Sequence, residues 1–402
     1  MNKQTNTPEL RFPEFKNVWK NNILKNMATT FSGGTPSSTN KSLYAGEIPF
    51  IRSGEINSLI TEMKISQKAL EKSSAKMVNE GDILYALYGA TSGEVAISKI
   101  EGAINQAVLC IRTKQITSFL YQYLKLKKSN ILNKYLQGGQ GNLSAKIIKN
   151  IVLSMPDTKE QRKIGDFFSK LDQQIELEEK KLELLEQQKR GYMQKVFSQE
   201  LRFKDENGKQ YPEGDEYKLN EIGVFNSGIG FPESLQGGIE GIPFFKVSDM
   251  NTKGNEIVMK KSNNYVSKEI IDSKKWKVIT NGPSMIFAKV GAAIMLNRKR
   301  LVLEPFLIDN NTMSYSFSND WDINFGRILF QTIYLPKYAQ VGALPSYNAK
   351  DIGTIKVKLP IKQEQEKIGS FFNKIDNLIE LQTSKIELLK QRKQGLLQKM
   401  FV

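Results

Sequence analysis

The stretch PDTKEQRKIGDFFSKLDQQIELEEKKLELLEQQKRGYMQKVF, from Pro156 to Phe197, decides the fold because the chain contains it twice. The second copy, PIKQEQEKIGSFFNKIDNLIELQTSKIELLKQRKQGLLQKMF, runs from Pro360 to Phe401 and aligns with the first without a gap. Every matched pair of residues is therefore separated by the same 204 positions as Pro156 and Pro360. Such a repeat predicts an internally duplicated architecture.

Each copy reads as one helix of about 40 residues, because a proline opens it and no proline interrupts it. Apolar residues recur at steps of four and three, which is typical of a coiled-coil seam. The predicted seam consists of Ile164, Phe168, Leu171, Ile175, Leu182 and Leu185 in the first copy and Ile368, Phe372, Ile375, Ile379, Ile386 and Leu389 in the second.

Both copies are polar at the same two seam positions, Glu178 and Lys189 in the first copy and Gln382 and Lys393 in the second. A polar seam residue costs stability but can fix the register of pairing. A folded segment joins the end of the first helix to the start of the second, so parallel pairing would require it to return about 60 Å. The matched seams therefore favour pairing of the two helices over the alternative of two unrelated surface helices. The connection between them favours antiparallel over parallel pairing.

The predicted fold class is α+β (mixed α/β), with two globular heads separated by two long helices that pair as an antiparallel coiled coil, and with an internal pseudo-two-fold repeat. The predicted boundaries are a first head at 1–155, a central helix at 156–200, a second head at 201–359 and a C-terminal helix at 360–402. Three segments of the first head have counterparts in the second: GEIPFI corresponds to GIPFFKV, GDILYALYGATSG to GPSMIFAKVGAA and INQAVL to IDNNTM. The loops of the two heads differ. A shared frame with different loops predicts two different recognition surfaces.

The amino-acid composition and the charge of the chain exclude several classes of function. The chain has no histidine and a single cysteine, Cys110, so imidazole catalysis, an internal disulfide and an all-cysteine metal site are excluded, and we expect no metal site. Its net charge is +16, and residues 1–155 carry 20 basic against 10 acidic residues, whereas residues 156–200 carry 9 against 10. Basic heads on a nearly neutral helix indicate a polyanion as the ligand of the heads. The polar start and the lack of a long apolar run predict a cytoplasmic protein with no membrane partner.

In these motifs the chain resembles the specificity subunits of type I restriction-modification systems. The resemblance rests on the order head, helix, head, helix, on KEQRKIGDFF and QEQEKIGSFF, on GYMQKVF and GLLQKMF, and on GEIPF, GDILY and QGGQGNLS in the first head. It implies that each head is a target-recognition domain that reads one half of a bipartite, asymmetric sequence in double-stranded DNA, and that the helices set the unread gap. It also implies two methyltransferase subunits that use S-adenosylmethionine and two motor-nuclease subunits that use ATP and magnesium, with none of these cofactors bound by this chain.

Direct readout of DNA uses Arg, Lys, Asn, Gln, Ser and Thr side chains, and phosphate contacts use Lys, Arg and backbone amides. On that basis the candidate DNA-binding residues are Thr35, Ser37, Arg52, Tyr88, Thr91, Gln140, Asn142 and Lys146 in the first head and Lys246, Lys289, Tyr347, Asn348 and Lys350 in the second. Asn105 with Gln106, and Asn310 with Asn311, are interpreted as strand caps or braces. Phe167 and Phe371 lie beside the seam and are expected to pack against the heads or a methyltransferase subunit.

Two other functions compete with a non-catalytic DNA-recognition subunit. An enzyme, either a nuclease or a fused methyltransferase, would need a cofactor motif or an acidic metal cluster, and the sequence contains neither a GxxxxGK[ST] loop nor a methyltransferase pocket motif. A nuclease-like match at Pro156, Asp157, Glu178 and Lys180 loses its acidic residues in the second copy. The second alternative is a non-catalytic coiled-coil adaptor whose heads bind protein.

Overall fold

The computed structural model describes residues 6–136, 142–340 and 344–402. The chain divides into two compact units, of which the first comprises Met1–Lys180 with Thr383–Val402 and the second comprises Lys181–Gln382. Each unit therefore contains one head together with part of each long helix. Among the described residues, no helix combines the length and the apolar character needed to cross a membrane.

The first head contains two four-stranded sheets and a two-stranded ribbon. The antiparallel sheet has the strand order Ala28–Ser32, Val108–Thr113, Ile83–Ala86, Val95–Ile97. The mixed sheet has the order Lys64–Ile65, Ile48–Ile51, Gly102–Ile104, Lys76–Val78. The ribbon pairs Lys20–Ile23 with Val152–Met155. The helices are Leu24–Met27, Gln67–Glu71, Thr117–Leu136 and Ala145–Lys149, with 3-10 turns at Lys41–Tyr44 and Ser53–Glu55.

The second head repeats this topology, except that the mixed sheet formed by its described residues has three strands instead of four. Its antiparallel sheet has the order Gly223–Ser227, Thr312–Phe317, Ser284–Ala288, Lys299–Val302, its mixed sheet has the order Tyr265–Val266, Ile242–Phe245, Leu307–Ile308, and its ribbon pairs Asp215–Lys218 with Lys356–Leu359. The helices are Lys268–Lys274, Ile323–Thr332 and Ala349–Gly353, with 3-10 turns at Leu219–Glu221, Glu233–Leu235, Val247–Asn251, Ala292–Leu296 and Leu335–Tyr338.

The strands predicted to correspond occupy corresponding places in the two heads. The strand of GEIPFI, Ile48–Ile51, pairs in parallel with Gly102–Ile104, and the strand of GIPFFKV, Ile242–Phe245, pairs in parallel with Leu307–Ile308. A mixed α/β fold with two repeated domains is thereby confirmed.

The predicted long helices run from Thr158 to Phe197 and from Lys362 to Met400. Of the twelve predicted seam residues, Ile164, Phe168, Ile175, Ile368, Phe372 and Ile386 are buried, and the other six are half-buried. The burial is deepest where a head covers the helix pair: in the first unit the ring of Phe168 packs 5.9 Å from that of Phe401, and Phe401 stacks on Phe119 of the head at 5.0 Å.

Within each unit the two long helices are joined by the same Asp–Lys ion pair, in which one partner is buried and the other is half-buried. Lys393 lies 2.5 Å from Asp172 in the first unit, and Lys189 lies 2.6 Å from Asp376 in the second. The four residues form two pairs related by the 204-residue repeat, because Asp376 is the second copy of Asp172 and Lys393 is the second copy of Lys189. Burial lowers the pKa of Lys393 and the contact with Asp172 opposes that shift. A polar contact between paired helices can fix their register.

A duplicated glutamine attaches the first turn of each long helix to its head. The Nε2 atom of Gln161 donates to the carbonyl oxygen of Pro156 at 2.9 Å and to Gln115 at 3.1 Å. The Nε2 atom of Gln365 donates to the carbonyl oxygens of Pro360 at 2.8 Å and of Asp320 at 2.9 Å. Both glutamines are buried, so these hydrogen bonds replace those that water would make.

A duplicated LRF segment also contacts the helix starts. Arg11 donates two hydrogen bonds of 2.7 Å to the buried carboxylate of Glu160, and Arg202 donates one of 3.1 Å to Glu364. The hydrogen bonds from Arg11 to Glu160 raise the pKa of that guanidinium. Because the second acidic residue follows the first by the repeat distance, both glutamates have a structural role.

The aromatic residues beside the seam pack against the same LRF segments. The ring of Phe167 lies 6.1 Å from that of Phe12, and the ring of Phe371 lies 5.5 Å from that of Phe203. Of the two contacts expected for these side chains, packing within the head-bearing unit is therefore present in the structure.

The glycine of each KIG motif allows a head helix to approach the long helix. A Cβ atom at Gly165 would lie 3.0 Å from the backbone nitrogen of Phe119, and one at Gly369 would lie 2.8 Å from that of Phe325. In contrast, a Cβ atom at Gly191 or Gly395 would have no neighbour within 4 Å.

These four glycines give a matched test of helix packing. We expect Gly165→Ala and Gly369→Ala each to lower the free energy of unfolding by about 1–3 kcal/mol, because the added methyl group meets backbone. Gly191→Ala and Gly395→Ala should raise it by up to about 1 kcal/mol, because alanine is the better helix former where space is open. Urea unfolding of the full chain measures the free energy of unfolding of all four variants. If alanine had the same effect at Gly165 and Gly369 as at Gly191 and Gly395, the close approach of the head helices to the long helices would be contradicted.

Candidate nucleic-acid interface

Several loops of the first head meet at one place, held by backbone hydrogen bonds. The amide of Leu87 donates to the carbonyl oxygen of Ala107 at 2.8 Å, and the amide of Leu143 donates to that of Leu87 at 3.1 Å. The GATSG turn, the strand that follows INQ and the segment before helix Ala145–Lys149 are thus adjacent. Residues far apart in the sequence are presented side by side.

Two further contacts bring the remaining loops to this place. The amide of Asn105 donates to the carbonyl oxygen of Ile51 at 3.4 Å, and the hydroxyl of Thr35 donates to Oε1 of Gln106 at 2.6 Å. The side chain of Asn105 accepts from the amide of Ala107 at 3.1 Å, which agrees with its interpretation as a brace.

We call these adjacent residues the first loop surface: Thr35, Arg52, Tyr88, Thr91 and Asn142. Thr35 and Asn142 are exposed, and the other three are half-buried. Ser37 is exposed and shares a hydrogen bond of 2.8 Å with Thr39, and Lys146 is exposed on the short helix Ala145–Lys149. Gln140 lies outside the described residues.

The guanidinium of Arg52 is paired with two carboxylates. Its Nε atom donates to Glu55 at 3.0 Å, and its Nη2 atom contacts Glu62. Hydrogen bonds to Glu55 and then Glu62 raise the pKa of Arg52. To contact a base or a phosphate, Arg52 would have to give up these partners, whereas the side chain of Lys146 has no such partner among the described residues.

The second head repeats the same backbone contacts. The amide of Lys289 donates to the carbonyl oxygen of Asn311 at 2.9 Å, the amide of Tyr347 donates to that of Lys289 at 3.2 Å, and the amide of Asp309 donates to that of Phe245 at 3.2 Å. These three bonds match those made by Leu87, Leu143 and Asn105. The candidates of the second head, Lys246, Lys289, Tyr347, Asn348 and Lys350, therefore form a second loop surface in the corresponding place.

The side chains of the second loop surface have different environments. Lys350 and Asn348 are exposed, Lys246 and Lys289 are half-buried, and Lys246 donates to Gln236 at 3.0 Å. Asn348 caps helix Ala349–Gly353 by accepting from the amides of Lys350 at 2.8 Å and of Asp351. Tyr347 is buried and donates to the carbonyl oxygen of Ala288 at 2.5 Å, so its hydroxyl supports the loop.

A second exposed feature lies on the long helices. Leu177 and Leu388 in the first unit are each 66% exposed, and Leu184 and Leu381 in the second unit are 57% and 68% exposed. The 204-residue repeat relates Leu177 to Leu381 and Leu184 to Leu388. We call these four residues the outer leucines. Exposed apolar side chains at helical spacing indicate a surface for another helix.

No group of three or more His, Cys, Asp or Glu side chains among the described residues could hold a metal ion. Asp157 of the nuclease-like match accepts from the amide of Glu160 at 3.0 Å as a helix cap, and Glu178 pairs with Lys385 at 2.5 Å. These carboxylates therefore have structural roles.

The fold defines a protein built from two copies of a recognition head, each followed by a long helix. The chain belongs to the family described as the type I restriction modification DNA specificity domain, whose family model matches residues 16–187 and 213–391. The resemblance inferred from the repeated motifs is thereby confirmed, and with it the coarse function of DNA target recognition within a restriction-modification system.

Two relatives from Methanocaldococcus jannaschii illustrate the similarity. The chain is 24% identical to the type I restriction enzyme MjaVIII specificity subunit over 80% of this chain and 78% of that protein. It is 28% identical to the MjaIX specificity subunit over 72% of this chain and 69% of that protein.

Solved structures show the same fold. The S subunit of a type I restriction-modification system from M. genitalium is 17% identical, with a TM-score of 0.59 over 98% of this chain and 99% of that chain. A chain from a structural study of assembly and conformational transition in the type I restriction-modification system is 16% identical, with a TM-score of 0.61 over 95% of this chain and 97% of that chain.

Proposed function

We propose that each head reads one half of a bipartite, asymmetric DNA target and that the two long helices fix the number of unread base pairs between the halves. The observation that carries this proposal is the repetition of the same backbone contacts beneath two loop surfaces whose side chains differ. Arg52, for example, corresponds to Lys246, since each precedes a 3-10 turn and receives a backbone cap from an acidic residue three positions later. One frame with two sets of side chains suits two unlike half-sites.

The proposal requires the long helices to pair antiparallel along their length, with a pseudo-two-fold relation between the copies. The two Asp–Lys pairs support this, because a polar contact between the helices is lost when the register slips. The same pairs occur in both halves of the repeat, as an antiparallel coiled coil with one register requires.

We propose that the chain does no chemistry itself and binds no cofactor, and that its domains follow the boundaries predicted at residues 155, 200 and 359. Two methyltransferase subunits would supply S-adenosylmethionine-dependent adenine methylation, and two motor-nuclease subunits would use ATP and magnesium. The outer leucines are a suitable docking surface for a helix of the methyltransferase subunit, because they are exposed, apolar and repeated once in each unit.

The direct test is to co-express the chain with a methyltransferase subunit encoded beside it in a methylation-free bacterial host and to map N6-methyladenine by single-molecule sequencing. We expect one asymmetric motif with two short defined halves around a fixed gap. A stable complex that methylates no motif would favour the adaptor function instead.

Exposed lysines at the short helices beside the two loop surfaces should contribute phosphate contacts. We expect Lys146→Ala and Lys350→Ala each to weaken binding of target and non-target duplexes alike and to reduce the slope of log affinity against log salt by about 0.9, since each removes one phosphate contact. Lys209→Ala is the control, because Lys209 is exposed but lies in a separate turn. Fluorescence anisotropy over a salt series measures the slopes, and an unchanged slope would exclude that lysine from the interface.

A further inference from the structure

The second head contains a basic pocket lined by residues outside the second loop surface. It has a volume of about 240 Å³ and lies where the edge strand Lys299–Val302 meets helix Ile323–Thr332. The residues that line it include four basic ones, Arg298, Lys299, Arg300 and Arg327, and one acidic one, Glu256. A volume far above the roughly 30 Å³ that one water molecule takes leaves room for a polyatomic anion.

The cations are arranged from an exposed rim to a buried floor. Arg298 is exposed, whereas Lys299 is 7% exposed and Arg327 is 2% exposed. Among the described residues, Nζ of Lys299 donates to three uncharged acceptors: Oδ1 of Asn297 at 2.9 Å and the carbonyl oxygens of Ile333 at 2.7 Å and of Asn297 at 3.3 Å. Burial lowers the pKa of Lys299 to about 7.

The floor of the pocket also has unused donors. Nη1 of Arg327 forms an ion pair with Oδ2 of Asp376 at 2.8 Å, and Nη2 of Arg327 is buried without a hydrogen-bond partner among the described residues. Asp376 is shared with Lys189, so one carboxylate faces two cations. Nε of Arg300 is likewise buried without a described partner. A buried guanidinium N–H group without an acceptor destabilises the folded state, unless a bound anion accepts its hydrogen bond.

The first head shows that the scaffold does not need two of these charges, those of Lys299 and Arg300. Phe287 pairs with Lys299 in the sheet of the second head, and the corresponding Tyr85 pairs with Val95 in the first. The position that holds a buried lysine in one head thus holds a valine in the other, and Arg300 corresponds to Ala96. Charges that the shared frame can lack indicate a ligand specific to the second head.

We propose that this pocket is a binding site for a phosphate group, with Lys299 and Arg327 at its floor and Arg298 at its rim. Guanidinium forks match the oxygens of a phosphate, and a desolvated ammonium adds a strong point charge. The group could be carried by the DNA backbone or by a free phosphorylated small molecule. The proposal does not rest on which DNA sequence the heads read.

Isothermal titration calorimetry of the full chain with inorganic phosphate tests the site. We expect saturable binding by the wild-type chain and at least tenfold weaker binding by Lys299→Met and by Arg298→Gln. Lys274→Met, at an exposed position of the same head, should bind as the wild type does. Lys299→Met keeps the length of the side chain and removes a buried cation, so it should fold. Absence of saturable binding, or equal binding by Lys299→Met and the wild type, would overturn the proposal.

Sulfate provides a second readout, because its charge is constant between pH 6 and 8. The charged residues that line the pocket with Lys299 are Arg298, Arg300, Arg327 and Glu256, and Asp376 and Lys189 of the long helices form an ion-pair network with Arg327. We expect sulfate affinity to rise as the pH falls through 7, since Lys299 then gains its proton, and Lys299→Met should abolish that rise. A rise of the same size in Lys299→Met would contradict the assignment.

A duplex without the target sequence distinguishes the two sources of phosphate. Loss of phosphate binding when the duplex is added would assign the pocket to the DNA backbone. Saturable phosphate binding in the presence of bound duplex would assign it to a free phosphorylated molecule.

Discussion

A four-residue insertion in each long helix, placed between Lys180 and Lys181 and between Gln382 and Thr383, is expected to lengthen the unread gap of the DNA target by one or two base pairs. Both half-sites should stay unchanged. One helical turn adds about 5.4 Å, and each base pair adds about 3.4 Å along the duplex. These positions divide the two units, so the Asp172–Lys393 and Lys189–Asp376 pairs each keep their partners. Mapping N6-methyladenine in the co-expression host measures the new motif, and methylation at the original spacing should fall at least 100-fold.

The matched control for this experiment is the same insertion in one helix only. That change displaces one Asp–Lys pair relative to the other, so we expect an unstable complex and no methylated motif. If the double insertion altered the half-sites rather than the gap, the helices would not be the element that sets the spacing.

Replacing outer leucines with glutamate is expected to abolish assembly with the methyltransferase subunit. Leu177→Glu with Leu388→Glu changes the first unit, and Leu184→Glu with Leu381→Glu changes the second. All four side chains are more than half exposed, so the folded chain tolerates a carboxylate there, whereas a helix–helix interface would bury it. We expect at least a 100-fold loss of affinity at the altered unit, measured by co-purification and by sedimentation velocity.

Ile239→Glu is the control for an exposed apolar residue away from the long helices, since Ile239 is 84% exposed in the second head. It should leave assembly unchanged. If both leucine double variants still assembled, the outer leucines would be excluded from the interface. The starts of the long helices would then be the next candidate for the methyltransferase contact.

The repeat made the candidate loop regions predictable, but only folding determined which of their side chains are available. Thr35, Tyr88 and Asn142 follow from motif positions and lie on one loop surface. Tyr347 came from the same reasoning, yet its hydroxyl is buried against Ala288. Sequence position identifies the loop, whereas the direction of a side chain depends on backbone contacts made across the head.

The acidic partners of the seam lysines were missed for a related reason. Asp172 and Asp376 do not lie at the seam positions of the heptad pattern, although both are related by the 204-residue repeat. The same signal was present at Glu160 and Glu364, which pair with the arginines of the two LRF segments. A search for duplicated charged residues, rather than duplicated apolar ones, would have found all four.

The sequence by itself determined the duplication, the extent of the two long helices and the family, because these depend on local periodicity and on motifs repeated at one spacing. Only the tertiary structure decided how the loops of each head converge, which lysine is buried against uncharged acceptors and which glycines admit a neighbouring helix. Those features arise from contacts between residues distant in the chain. Val95 and Lys299, for example, occupy the same position in the antiparallel sheets of the two heads. Only the strand pairing reveals that this position is apolar in the first head and charged in the second.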